Sequence, residues 1–149
     1  MTCATIQDGD EGLDWAFFNL GLLYSDQGKM QEAEEMYLRA LRGKEKAWGP
    51  DHTSTLDTVN NLGLLYSVQG KRQEAEEMYL RALRGYEKAI GPQDIARYRP
   101  AINTMWGLGA FLWRQDKPVE AGEYYHRAHS NLEKQQHHGK PKGTDAEMS

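Results

Sequence analysis

The segment NLGLLYSVQGKRQEAEEMYLRA, from Asn61 to Ala82, contains two amphipathic runs separated by the turn sequence QGK. Apolar residues of both runs recur at intervals of three and four, which indicates one buried stripe on each of two helices. Gly70 follows the first run, where a glycine can adopt the left-handed conformation that ends a helix. The segment therefore predicts a helix–turn–helix pair.

The chain contains this pair three times. The stretches 19–50 and 61–92 are offset by 42 residues and differ at four of 32 positions, and EAGEYYHRA (120–128) aligns with 74–82 at an offset of 46. A single pair cannot bury its own apolar face, so neighbouring pairs must stack. We expect an all-α fold, an α-solenoid of three antiparallel helix pairs.

The predicted helices cover residues 13–27, 30–47, 53–69, 72–89, 99–115 and 118–136. The predicted organisation is a flexible acidic leader (1–12), a repeat domain (13–136, with repeats 13–50, 53–92 and 99–136) and a disordered tail (137–149). In the third copy His129 replaces Leu41 and Leu83, and Gln136 replaces Trp48 and Ile90. These polar replacements predict a degenerate, cap-like last repeat.

Small residues predict close packing within each pair. Gly63 precedes Ala75 by 12 residues, which places one small residue on each helix near the turn. Tyr79 lies between Ala75 and Ala82 on the second helix and is expected to fill the space between the helices.

The composition excludes several classes of partner. The 149 residues carry a net charge of −4 with no basic stripe, which argues against nucleic acid. Cys3 is the only cysteine, so a disulfide within the chain is excluded. The sequence has neither a membrane-length apolar run nor a signal-peptide pattern. We expect a cytoplasmic protein with no membrane partner.

These features resemble the tetratricopeptide repeat (TPR). In that family the first helix has a large apolar residue, then Leu-Gly and an aromatic residue, and the second has Ala, an aromatic residue and Ala. The matching residues in the second copy are Val59, Leu62, Gly63, Tyr66, Ala75, Tyr79 and Ala82. The 42-residue period is similar to the kinesin light chain type, and the sequence looks most like the TPR arrays of fungal NLR-like (STAND) receptors.

The resemblance implies a concave groove lined by residues of the first helix of each pair. Carried onto this sequence, the predicted peptide-binding residues are Phe18, Asn19, Leu22, Asp26, Asp57, Asn60, Asn61, Leu64, Val68, Asn103, Trp106 and Arg114. Asparagine side chains can bond to a peptide backbone, although the same amides can also cap helices or face water. The positions of the carboxylate clamp for chaperone C-termini hold Phe18, Leu22, Asn61, Asn103 and Gly107, of which only Asn61 matches. We therefore expect an apolar or amphipathic ligand and no carboxylate-clamp partner.

Two functions agree with this surface. The first is a protein–protein interaction module that binds a peptide segment or helix in the groove, as part of a larger adaptor or receptor. The alternative is a self-associating assembly or sensor element of a fungal NLR-like receptor, a homo-oligomer or helix-swapped dimer. The alternative rests on the aromatic start of the first helix, with Trp15 and Phe18 as candidate contacts.

Catalysis is not expected. The sequence has no phosphate-binding glycine loop, nucleophile elbow or histidine–carboxylate set, so no catalytic residue, cofactor or metal is predicted. His126 and His129 are three residues apart, but isolated surface histidines are a far more common explanation than a metal site.

The two nearly identical copies differ in four pairs, Asp26/Val68, Met30/Arg72, Lys44/Tyr86 and Trp48/Ile90. The last three fall on the second helix and are predicted to be structural, with the pairs at 44/86 and 48/90 tuning the packing between repeats. Asp26 and Val68 fall on the predicted groove, where the third copy has Arg114. This position is the candidate for ligand specificity.

Overall fold

The computed structural model describes residues 13–138, and this part of the chain is helical, with no strand. Its elements are α1 (Asp14–Asp26), α2 (Met30–Trp48), α3 (Thr53–Val68), α4 (Arg72–Ile90), a short 3-10 helix (Ile95–Arg97), α5 (Arg99–Arg114) and α6 (Pro118–His138). The predicted all-α helical-repeat fold is confirmed. Within residues 13–138 each helix is too short or too polar to span a membrane.

Two details differ from the sequence-based expectation. Helix α6 continues to His138, so residues 137 and 138, assigned above to the tail, are helical. The linker before α5 contains the 3-10 helix, whose Ile95 and Ala96 are buried. The predicted leader (1–12) and the rest of the predicted tail (139–149) lie outside the described residues.

The chain divides into two compact units, residues 1–89 and 90–149. In the first unit α1 packs against α2 and α2 packs against α3, while Tyr79 of α4 lies on Gly63 of α3. In the second unit α5 packs against α6, and the 3-10 helix packs against both.

The turn within each pair uses a left-handed residue. Gly28 and Gly70 have φ values of 77° and 78°, which confirms the predicted glycine turn. The third pair has Asp116 at this place, with φ 60°. Aspartate is one of the few side chains that tolerate this conformation, so the turn geometry is kept although the glycine is lost.

A tyrosine ring packs on a glycine in every pair, which confirms the predicted close approach of the helices. A Cβ atom built on Gly21 would lie 2.6 Å from the ring of Tyr37, and one on Gly63 would lie 3.0 Å from the ring of Tyr79. In the third pair a Cβ atom built on Gly109 would lie 2.9 Å from the ring of Tyr125. A side chain on these glycines would displace the ring.

Two tyrosines make stability sensitive to alkaline pH. Burial, reinforced by Asp26, raises the pKa of Tyr37 from 10.0 to about 12. Burial, reinforced by Glu34, raises the pKa of Tyr66 from 10.0 to about 12. The folded chain holds both phenol protons more tightly than the unfolded chain, so the neutral phenols contribute to the stability of the folded state. This contribution is complete below pH 10.0 and is lost as the pH rises through about 12.

We therefore expect the free energy of unfolding, measured by urea titration at a series of pH values, to fall steadily above pH 10.0. The double variant Tyr37→Phe/Tyr66→Phe should show a flatter dependence over the same range. An identical alkaline decline in the variant would contradict this assignment.

Candidate functional site

The groove face of the first unit is exposed. We use this name for three equivalent pairs of positions on α1 and α3: Asn19/Asn61, Leu22/Leu64 and Asp26/Val68. Leu64 is 52% and Val68 56% exposed, and Asn19, Leu22 and Asp26 are also exposed while Asn61 is half-buried. Two helices therefore present apolar side chains to solvent with one carboxylate among them.

Phe18 was predicted to line the groove but contributes mainly to packing. Its half-buried ring lies 5.9 Å from the ring of Tyr37, and the Lys44 Nζ lies 4.3 Å from its centroid. The ring therefore stabilises the first pair and covers a buried cation. Asn60, the equivalent residue on α3, is half-buried.

Lys44 is a buried cation that links α2 to α3. Its Nζ donates to the Thr58 Oγ1 at 3.0 Å and to the Ser54 carbonyl oxygen at 3.2 Å. Burial lowers the pKa of Lys44, and the carboxylates of Asp57 and Asp14 oppose this effect. Two hydrogen-bond acceptors and an aromatic ring take the place of the water that the ammonium group loses on burial. These contacts hold α2 against α3.

Asp57, another predicted groove residue, is engaged by the protein itself. The hydroxyl of Tyr86 donates to its carboxylate. Burial raises the pKa of Asp57, while the bond from Tyr86 and the charge of Lys44 act in the opposite direction. The carboxylate therefore belongs to a polar cluster below the groove face, and its first role is structural.

The amide of Asn61 is partly committed as well. Its Nδ2 donates to the carbonyl oxygen of Asp57, one turn earlier on α3, at 2.8 Å. This bond uses one of the two amide hydrogens. The side chain is thereby held in a fixed orientation at the half-buried edge of the groove face.

In the second unit the predicted residues lie on α5. Asn103 and Arg114 are exposed. Trp106 is partly exposed, and its ring lies 5.1 Å from the ring of Tyr125. Trp113 is largely exposed. Helix α5 thus presents aromatic surface to solvent, and neither tryptophan is a core residue.

Two further tryptophans are exposed in the first unit. Trp15, a predicted self-association residue, is 63% exposed. Trp48 lies at the end of α2 and stacks on His52 just before α3, with ring centroids 5.2 Å apart. Trp48 therefore contacts the junction between the pairs from the surface.

Sequence reasoning identified the positions of Lys44 and Tyr86 as structural but did not predict their polar roles. Lys44 donates hydrogen bonds to the next helix pair, which agrees with the predicted packing role between repeats. The contact from Tyr86 to Asp57 stays within its own pair. The sequence could have indicated the role of Lys44, because this residue falls in the buried stripe of its helix and a buried ammonium group requires hydrogen-bond acceptors.

No set of three or more His, Cys, Asp or Glu side chains within residues 13–138 is arranged to hold a metal ion. His129 lies 3.8 Å from a carboxylate oxygen of Glu133, one turn later on an exposed surface.

Comparisons with known proteins agree with the fold. A family model described as tetratricopeptide repeat matches residues 10–88. The crystal structure of BtubC (BKLC) from P. vanneervenii is similar, with a TM-score of 0.77 and 23% sequence identity over 93% of this chain and 54% of that chain. The chain thus spans about half the length of that protein, and the likeness is one of fold. The search of curated proteins gave no match.

Proposed function

Because the chain belongs to the tetratricopeptide repeat family, we propose that its groove face binds a peptide segment or helix of a protein partner. TPR repeats generally mediate protein–protein interaction. The finer proposal is an adaptor or receptor module of the kinesin light chain-like type that acts in the cytoplasm.

One observation carries this proposal. Leu22 and Leu64 are exposed at equivalent positions of α1 and α3, and Val68 is exposed one turn after Leu64. Exposed apolar side chains that recur in one register are more typical of a binding surface than of scattered solvent contacts. Their ligand would bury apolar side chains between them, so it is apolar or amphipathic.

The pair Asp26/Val68 is the proposed source of specificity. Both side chains are exposed and occupy the same position of successive repeats. Asp26 favours a basic or amide group of the ligand, and Val68 favours an apolar group one repeat further on. On α5, considered by itself, Asn103, Trp106 and Arg114 are proposed ligand contacts of the second unit.

A peptide selection tests the groove. The immobilised full chain is screened against a random peptide library, and the best binder is titrated calorimetrically against the wild type and variants. We expect apolar or amphipathic peptides, and we expect Leu64→Ala or Val68→Ala to weaken binding about five- to tenfold, the loss typical of a moderate interface contact.

The matched control is Trp48→Ala, which removes an equally exposed apolar side chain outside the groove face. Its affinity should equal that of the wild type. Unchanged affinity in both groove variants, with folding verified by circular dichroism, would exclude this face as the binding site.

The exposed ring of Trp15 favours a second candidate, self-association as an assembly element of an NLR-like receptor. Trp15 is the available contact for it, because Phe18 is held against Tyr37 and Lys44. Light scattering of the free chain over a concentration series distinguishes this candidate from a monomeric peptide-binding module.

A further inference from the structure

Helix α1 has a second exposed apolar surface, separate from the groove face. Four residues at intervals of three and four form it, and we call it the lateral face: Leu13, which immediately precedes α1, the half-buried Ala16, Leu20 and Leu23. The leucines are 44%, 37% and 50% exposed, respectively. This spacing is that of a seam that packs against another helix.

The equivalent residues of α3 show what such a face accepts. Thr55, Leu62 and Leu65 occupy the positions of the three leucines and are 0%, 0% and 2% exposed. Helix α2 packs against α3 and bonds through Lys44 to Thr58, the equivalent of Ala16. Since α1 and α3 share their register and their glycine–tyrosine contact, the lateral face is shaped to receive a helix like α2.

Charged residues beside the lateral face of α1 and beside its counterpart on α3 also indicate that the lateral face can receive a helix like α2. Two acids of the first repeat pair with bases of the second: Glu34 lies 3.4 Å from the Lys71 Nζ, and Glu45 lies 2.8 Å from Arg81. The first repeat carries Lys29 and Arg39 at the positions of these two bases. Lys29 lies over the ring of Tyr24 at 5.7 Å, as Lys71 lies over the ring of Tyr66 at 5.4 Å.

The lateral face also differs from its α3 counterpart in a way that restricts its ligand. Ala16 has no hydroxyl where Thr58 accepts a bond from Lys44. A lysine at that register would therefore be buried with one acceptor fewer, which is unfavourable. Helix α4 differs from α2 at three of 19 positions and has Tyr86 in place of Lys44, and it also has Glu76 and Glu87 where α2 has Glu34 and Glu45.

We propose that the lateral face of α1 binds, in trans, an amphipathic helix of a partner protein. The partner helix has the pattern of α4: an apolar or aromatic residue at the register of Tyr86 and acids at those of Glu76 and Glu87. The acids pair with Lys29 and Arg39. This site is independent of the groove face.

A labelled synthetic peptide with the sequence of residues 72–91 is the probe, titrated into the full chain by fluorescence anisotropy. We expect saturable binding that Leu23→Asp in the chain weakens at least about tenfold, because a buried carboxylate replaces an apolar contact. The peptide carrying Tyr86→Lys should also bind more weakly. Val119→Asp is the matched control, since it places the same charge on an exposed apolar residue of α6, outside both faces, and should leave the affinity unchanged.

A charge swap tests the orientation of the bound helix. Arg39→Glu in the chain should weaken binding, and the peptide carrying Glu87→Arg should restore it, by analogy with the pair Glu45–Arg81. Absence of binding would overturn the proposal. Binding that Leu23→Asp does not weaken would also overturn it, and we expect that result if the peptide displaces α4 from the chain rather than binding the lateral face. A dimer of the free chain that dissociates on Leu23→Asp would also overturn it, because a second copy would then occupy the face.

Discussion

Replacing Tyr79 by alanine is expected to lower the free energy of unfolding of the first unit by about 3–5 kcal/mol, the usual cost of removing a buried aromatic side chain. The ring is 2% exposed and fills the space above Gly63 between α3 and α4. The variant leaves a cavity beside a glycine, which has no side chain to fill it. Urea unfolding followed by circular dichroism measures the loss.

Trp15→Ala is the control for this experiment. It removes an aromatic side chain that is largely exposed, so its effect should stay within about 0.5 kcal/mol, as for most surface substitutions. A loss below about 1 kcal/mol for Tyr79→Ala would contradict the assigned packing.

The same leucine-to-alanine substitution should have unequal effects in the two nearly identical repeats. Leu62 is fully buried because α2 and α4 enclose α3, and Leu62→Ala is expected to cost about 2–5 kcal/mol. Leu20, its equivalent on α1, is 37% exposed. Leu20→Ala therefore removes less buried surface, and we expect it to cost about 1 kcal/mol or less.

Chemical denaturation of both variants in one buffer gives this difference. Equal losses would mean that α1 is covered in solution as fully as α3. Such a result would identify an occupied lateral face in the free chain, and light scattering would then show whether a second copy covers it.

Sequence reasoning predicted the helices well because their signals are local. The apolar period of each run, the glycines after α1 and α3 and the small-residue stripe fixed the element boundaries to within two residues. The turn at Asp116 had no such signal, since its left-handed backbone follows from the pairing of α5 and α6. The 3-10 helix likewise depends on buried contacts of Ile95 and Ala96.

The candidate site was predicted less completely. Leu64, Val68 and Asp26, which the register assigned to the groove, are exposed, and their role in binding stays a prediction. The register could not show that Asp57 accepts a hydrogen bond from Tyr86, or that the ring of Phe18 contacts the ammonium group of Lys44. Such contacts depend on which side chains the neighbouring helix brings near.

The sequence by itself determined that this protein is a helical repeat, because the turn residues and the apolar period repeat along the chain. The tertiary structure decided which apolar residues are covered. Leu20 and Leu62 have the same local sequence and the same position on their helices, yet within residues 13–138 a preceding helix covers Leu62 and leaves Leu20 exposed. Burial is a property of neighbours in space, so identical segments acquire different roles once they are stacked.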